Sequence, residues 1–133
     1  MSNDIYLTDR EADVMQVLWD HGPSVVNEVK DKLSDDLAYT TVLTILRTLE
    51  QKGYVKHEEE GRVHRYFAVV QEIAARKSAL RHLAGKLFKG SSELLFMHLV
   101  SEQRKLTKDQ LERMRALLTE KLASANKGKE KKE

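Results

Sequence analysis

The sequence contains no cysteine in 133 residues. That absence removes disulfide frameworks, iron–sulfur clusters, cysteine-ligated zinc and thiol nucleophiles together. Long apolar runs are missing too: nowhere do about 18 apolar residues follow one another, and Met1 to Met15 lacks the basic-then-apolar order of a signal peptide. A cytoplasmic protein without membrane insertion is the expectation. Catalytic signatures are equally scarce. There is no glycine-rich phosphate loop and no GxSxG, and His21, His57, His64, His82 and His98 share no HxxxH or HxH spacing. The sequence therefore predicts no enzyme, no cofactor and no metal. His57 and His64 can meet across a hairpin, where they read as a surface pair rather than a two-ligand metal site.

What is present is mostly helical patterning with an uneven charge. The formal net charge is +2. Residues 1–70 hold 8 Lys and Arg against 13 Asp and Glu, whereas residues 71–133 hold 15 against 8. A phosphate-binding domain is by default basic, so the acidic first half must bind DNA, if at all, through local placement.

Thr8-Asp9-Arg10-Glu11 has the form of a capping box, and Ala12, Met15, Leu18 and Trp19 follow as one apolar stripe. His21-Gly22-Pro23 ends that helix. Ser24 is the expected N-cap of a second helix, with Val25 or Val26, Val29 and Leu33 facing inward. Ser34-Asp35-Asp36 marks a turn. A third helix is predicted from Tyr39 to Lys52 and ends at Gly53, with Val42, Ile45, Leu46 and Leu49 on its apolar side. A strand from Tyr54 to Glu58, a turn at Glu59-Glu60-Gly61 and a return strand from Arg62 to Ala68 complete the pattern. Tyr66 and Phe67 fall on opposite faces of that strand, and one of them closes the core. Three helices and a hairpin in about 65 residues spell a winged helix-turn-helix.

Beyond Val70 three further helices are predicted: Ile73 to Phe88, Ser92 to Val100, and one opened by Thr107-Lys108-Asp109-Gln110. Leu80, Leu83, Leu87, Leu94, Leu95, Leu99, Leu111, Met114 and Leu118 supply more apolar surface than so small an appendage can bury. A second copy of the chain would cover it with the least new structure; folding back onto the N-terminal part is the alternative. The fold class is thus mainly α with a small β-hairpin wing. A winged helix-turn-helix occupies 1–70, a C-terminal helical dimerisation region 71–125, and a Lys/Glu-rich disordered tail 126–133.

The third helix carries the most informative surface. Thr40, Thr41, Thr44, Arg47 and Thr48 form a side of short polar groups from which hydroxyls can meet phosphates or base edges and a guanidinium can fork onto guanine. Threonine is a poor helix former, so a merely solvated face would more naturally use Glu, Lys or Ala. On the wing, Arg62 and Arg65 can clamp phosphates, while Glu58, Glu59 and Glu60 would be repelled by them. The rival reading is a winged helix used for protein–protein contact, its acidic wing tip facing a basic partner.

Several stretches together resemble the penicillinase-repressor (BlaI/MecI/CopY) family. They are Leu7-Thr8, Glu11, Val14-Met15, Leu18-Trp19 and Gly22-Pro23, then Val26-Asn27-Glu28-Val29. Tyr39-Thr40-Thr41-Val42, Thr44, Leu46, Leu49, Lys52-Gly53, Glu60-Gly61-Arg62 and Tyr66 continue the likeness, as do Phe88-Lys89-Gly90-Ser91, Leu106-Thr107, Leu111 and Leu117-Leu118. The resemblance implies a homodimeric repressor that binds a palindromic double-stranded DNA operator. It places the third helix in the major groove, with Thr41 and Thr44 at the family's paired threonines. It also implies relief by a membrane sensor-protease or by a metal, and here the chain departs from the pattern. His98-Leu99 stands where lactam-responsive members have a cleaved Asn-Phe pair, the cysteines of the copper-responsive members are missing, and Thr48 replaces a basic residue of several relatives.

Overall fold

The computed structural model describes residues 4–102 and 105–132. In chain order the elements are α1 (Asp9–His21), β1 (Ser24–Val25), α2 (Val26–Lys32), α3 (Tyr39–Gln51), β2 (Val55–Glu60), β3 (Val63–Ala68), α4 (Glu72–Leu87), α5 (Ser92–Glu102) and α6 (Lys108–Lys132). They fall into two compact units, residues 1–90 and 91–133. The boundary expected at 70 and 71 therefore lies inside the first unit, which keeps α4.

In the first unit, α1 opens on the expected capping box. The Glu11 amide donates to Thr8 Oγ1 at 3.3 Å and the Thr8 amide donates to Glu11 Oε1 at 2.8 Å. The helix buries Val14, Met15, Val17 and Leu18. These pack with Val26 and Val29 of α2, Val42, Leu46 and Leu49 of α3, Val55 of β2 and Tyr66 of β3 into one core. Each fully buried Val or Leu contributes about 1.5–3 kcal/mol, so the core fixes the angle at which α3 is presented. Trp19 is half-buried, and its indole N–H donates to the Val70 carbonyl at 3.0 Å.

Two local expectations are corrected. Ser24 does not cap α2. Ser24 and Val25 form a short strand, pairing antiparallel with Tyr66 and Arg65 of β3, and α2 starts one residue later at Val26. Its cap comes from Glu28, whose Oε1 accepts from the Val25 amide at 3.0 Å. The sheet among the described residues consequently has three strands in the order β1-β3-β2. The hairpin turn also shifts. Glu59 and Glu60 belong to β2, paired with His64 and Val63, and the reversal is made by Gly61-Arg62. Gly61 adopts φ 61°, a conformation that glycine takes without a Cβ penalty at the first corner of a two-residue hairpin turn.

The buried side of α4 carries Ala75, Ser78 and Ala84, and the chain ahead of α1 lies on this helix. The Ile5 amide donates to Ser78 Oγ at 3.1 Å, and Tyr6 meets His82 edge-on with ring centroids 4.8 Å apart.

The second unit contains α5 and α6. Thr107 and Gln110 open α6 reciprocally: the Thr107 amide donates to Gln110 Oε1 at 2.9 Å and the Gln110 amide to Thr107 Oγ1 at 3.1 Å. The helix continues through residues 126–132, where the sequence reading placed a disordered tail; Glu133 lies outside the described residues. Lys and Glu, which make up five of these seven residues, are strong helix formers even without an apolar face to bury, and a composition-based reading gives that propensity too little weight. No helix among the described residues is long and apolar enough to cross a membrane.

Candidate nucleic-acid interface

The two sides of α3 differ sharply. Val42, Leu46 and Leu49 are 0 % exposed, while Thr40, Thr41, Thr44 and Arg47 are exposed and Thr48 is half-buried. The predicted contact residues are thus brought together on one helix and held outward by the core behind them. Thr44 Oγ1 donates to the Thr40 carbonyl and Thr48 Oγ1 to the Thr44 carbonyl, both at 2.9 Å. With those protons used inside the helix, Thr44 and Thr48 offer methyl groups and oxygen lone pairs to a partner. No side chain caps α3 at Ala38, which leaves its first-turn amides available to a phosphate.

The wing separates its two arginines. Arg62 sits exposed at the turn and pairs with no carboxylate among the described residues. Arg65 is held on three sides: Nε to Glu60 Oε1 at 2.9 Å, Nη1 to Glu28 Oε1 at 3.1 Å, and Nη1 to the Pro23 carbonyl at 3.3 Å. The hydrogen bond to Glu60 raises the guanidinium's pKa, with Glu28 adding to it. The Val25 amide, and then Arg65, lower that of Glu28. Arg65 thereby ties β3 to the start of α2. Sequence spacing does not signal this, because Glu28 and Arg65 are 37 residues apart.

Behind the wing, Tyr66 rather than Phe67 closes the core, at 1 % exposure. Burial raises its hydroxyl pKa, as does the Glu50 carboxylate, and the nearby Arg47 guanidinium offsets part of this. Glu50 also accepts from His57 Nδ1, with its two oxygens at 2.7 and 2.8 Å. These links between α3 and the hairpin were missed from sequence; a polar residue on the half-buried edge of α3 seven positions before a strand histidine is too weak a pattern to single out.

Of the leucines expected at a dimer contact, Leu80, Leu83, Leu87, Leu94, Leu99, Leu111 and Leu118 are exposed, and Met114 is half-buried. Leu95 is the exception at 8 % exposure. It is covered within its own chain and is not available to a partner in this conformation.

A family model described as penicillinase repressor matches residues 7–120. The chain belongs to the penicillinase-repressor family. The methicillin resistance regulatory protein MecI of Staphylococcus aureus (strain N315) is 23% identical over 124 residues, covering 91% of this chain and 100% of that one. The transcriptional regulator BlaI of Mycobacterium tuberculosis (strain CDC 1551 / Oshkosh) is 44% identical over 66 residues, 47% of this chain and 48% of that one. Among solved structures, a MarR family protein from Bacillus stearothermophilus superposes with a TM-score of 0.50 over 92% of this chain and 77% of that one. At 16% identity that likeness speaks for the fold alone. Family membership makes the chain a DNA-binding transcriptional repressor and not an enzyme.

Proposed function

We propose that the chain represses transcription as a homodimer on a palindromic operator, each copy laying α3 in the major groove. The observation that carries this reading is the two-sided α3, with Val42, Leu46 and Leu49 sealed in the core and Thr40, Thr41, Thr44 and Arg47 exposed together. Short side chains let the helix approach the base edges closely, and Arg47 supplies the fork that guanine O6 and N7 accept. Two such helices would sit ~34 Å apart on successive turns of the groove. Arg62 at the wing tip is the backbone-contacting arginine, and Arg65 holds the wing in shape. Repression follows from occupancy of the promoter and requires no chemistry.

The second copy is favoured by the apolar residues left uncovered in one chain. Leu111 and Leu118 lie seven residues apart on α6 with Met114 between them, and both leucines are exposed. That spacing is the seam of a helix–helix contact.

The test is selection of genomic fragments by the purified full-length protein at moderate salt, followed by sequencing. Enrichment of a short inverted repeat near promoters supports the reading, and Thr41→Ala with Arg47→Ala must then lose that enrichment. Recovery of random fragments alone would favour the protein-interaction reading, to which the acidic strand Glu58-Glu59-Glu60 lends the one specific argument.

A further inference from the structure

The wing also holds a group of side chains that lies outside the proposed DNA contacts. In the hairpin His57 is opposite Tyr66 and Glu59 is opposite His64, so His57, Glu59 and His64 share the sheet face on which Tyr66 is buried. The two imidazoles stack, with centroids 4.2 Å apart and planes within 9°. One ligand atom from each of His57, Glu59 and His64 lies within 4.8 Å of the others. Glu59 Oε1 is 3.8 Å from His64 Nε2. His57 Nδ1 faces both Glu50 oxygens at 2.7 and 2.8 Å. A nitrogen so placed must carry the proton, which leaves the lone pair of neutral His57 on Nε2.

We propose that His57, His64 and Glu59 bind a divalent transition-metal ion of the zinc class, with Glu50 as the outer carboxylate that orients His57. Two imidazoles and one carboxylate are a donor set for zinc and its neighbours, whereas magnesium and calcium take oxygen-rich sites. A ligating histidine commonly gives its other N–H to a carboxylate, which fixes the tautomer and raises the basicity of the ligand nitrogen. His57 and Glu50 already stand in that relation. A metal ion lies in the plane of each imidazole it binds, so two parallel rings cannot share one ion while stacked. His64 is the ring that swings out, because Glu50 anchors His57 at 2.7 and 2.8 Å, while His64 is held by ring contacts to His57 and Tyr66 and by the longer Glu59 contact at 3.8 Å. Metal–ligand bonds of about 2.0–2.1 Å require the donor atoms to approach to roughly 3.3 Å. On adjacent strands, side-chain rotation supplies that closure without moving the backbone. Three protein donors leave a fourth position to water, and the exposed Glu59 keeps the site open to exchange.

The site meets α3 at Glu50. A bound cation strengthens the His57 N–H as a donor to Glu50, stiffens the junction of α3 and the wing, and offsets the negative charge of Glu58, Glu59 and Glu60. Metal should therefore raise DNA affinity. This last step rests on the DNA-binding reading; the metal site does not.

The experiment is calorimetric titration of zinc chloride into the full-length protein in a non-chelating buffer at pH 7.5, with the histidine side-chain nitrogens followed by NMR. One ion per chain is expected, with large shifts confined to His57 and His64. His64→Ala should weaken binding at least tenfold, and His21→Ala should leave it unchanged. Glu50→Gln should retain binding with several-fold lower affinity and a changed His57 tautomer signal. Absence of binding overturns the site, as does zinc binding that His57→Ala and His64→Ala leave intact while both variants keep the native melting temperature. Operator binding is measured separately by anisotropy with zinc and with a chelator. A several-fold gain with zinc that His64→Ala abolishes supports the coupling to α3, and an unchanged affinity overturns that coupling alone.

Discussion

Lys52 at the end of α3 donates to Glu11 at the start of α1, Nζ to Oε1, at 2.7 Å. Glu11 is 5 % exposed, and the same oxygen accepts the Thr8 amide at 2.8 Å. Lys52 also reaches the Tyr6 carbonyl at 3.4 Å. One ion pair thus links the capping box of the first helix to the far end of α3, the helix proposed to meet DNA.

Acid should loosen this junction. Burial alone would raise the Glu11 pKa, but the hydrogen bond and charge of Lys52, with the Thr8 amide and hydroxyl, outweigh it and hold the group below its ordinary 4.5. The folded state therefore binds fewer protons there than the unfolded chain does. Its contribution is complete above the unfolded value and fades as pH falls through the lowered folded value. Lys52→Met leaves a buried carboxylate oxygen with one donor fewer, so a loss of about 1–3 kcal/mol is expected at pH 7. The acid limb of a urea-denaturation series from pH 7 to pH 3 should flatten as well. A variant as acid-sensitive as the parent would move the acid response to another carboxylate.

Thr44 should read DNA with its methyl group. Its hydroxyl proton is engaged by the Thr40 carbonyl, so Thr44→Val keeps the outward methyl and gives up little toward a partner. Thr44→Val is expected within about twofold of the parent on a selected operator, and Thr44→Ala about fourfold weaker, roughly the worth of one buried methyl. Arg47→Ala should lose tenfold or more, with relaxed preference at one base. Anisotropy titrations at fixed salt give all three values. A large loss in Thr44→Val alone would show that the hydroxyl leaves the Thr40 carbonyl on binding.

The two wing arginines should fail differently. Arg62→Ala is expected to reduce the slope of log affinity against log salt by about one unit, the signature of one lost phosphate contact. Arg65→Ala should leave the slope unchanged and instead speed amide exchange at Val25 and Tyr66, because Arg65 joins Glu28, Glu60 and Pro23. A reduced salt slope in Arg65→Ala would mean that the guanidinium leaves its carboxylates to meet DNA.

What could be read from sequence and what could not follows from the range of the forces involved. The helical period of Val42, Leu46 and Leu49 and the capping boxes at Thr8 and Thr107 are local signals, and the structure places them as read. β1 exists only because β3 comes back past Ser24 and Val25, so no local pattern in two residues announces it. The turn moved to Gly61-Arg62 because a positive φ at Gly61 decides the reversal more strongly than the acidic composition before it. Arg65, an apparent DNA contact by its charge, is committed to Glu28 through the fold. His57 and His64 read as an ordinary surface pair until their stacking and the Glu50 contact appear in three dimensions.

The apolar face of α6 gives the most direct test of assembly. Leu111 is 43 %, Leu117 56 %, Leu118 50 % and Leu122 64 % exposed in the single chain, an arrangement that water disfavours and a second copy of the helix would relieve. Leu118→Glu places a charge on that stripe without touching the buried core of residues 1–90. Sedimentation velocity at micromolar concentration should change from a species of about twice 15.3 kDa to one near 15.3 kDa. Operator affinity should fall by about 10²-fold or more, because the second half-site is no longer bound intramolecularly, while affinity for an isolated half-site should hold. Leu95→Ala is the contrasting variant. Leu95 is already covered within the chain, so its truncation should cost about 2–5 kcal/mol of stability and leave the sedimenting mass unchanged below the melting temperature. If Leu118→Glu stays dimeric, the interface moves to the exposed leucines of α4, and Leu83→Glu becomes the variant that must break it.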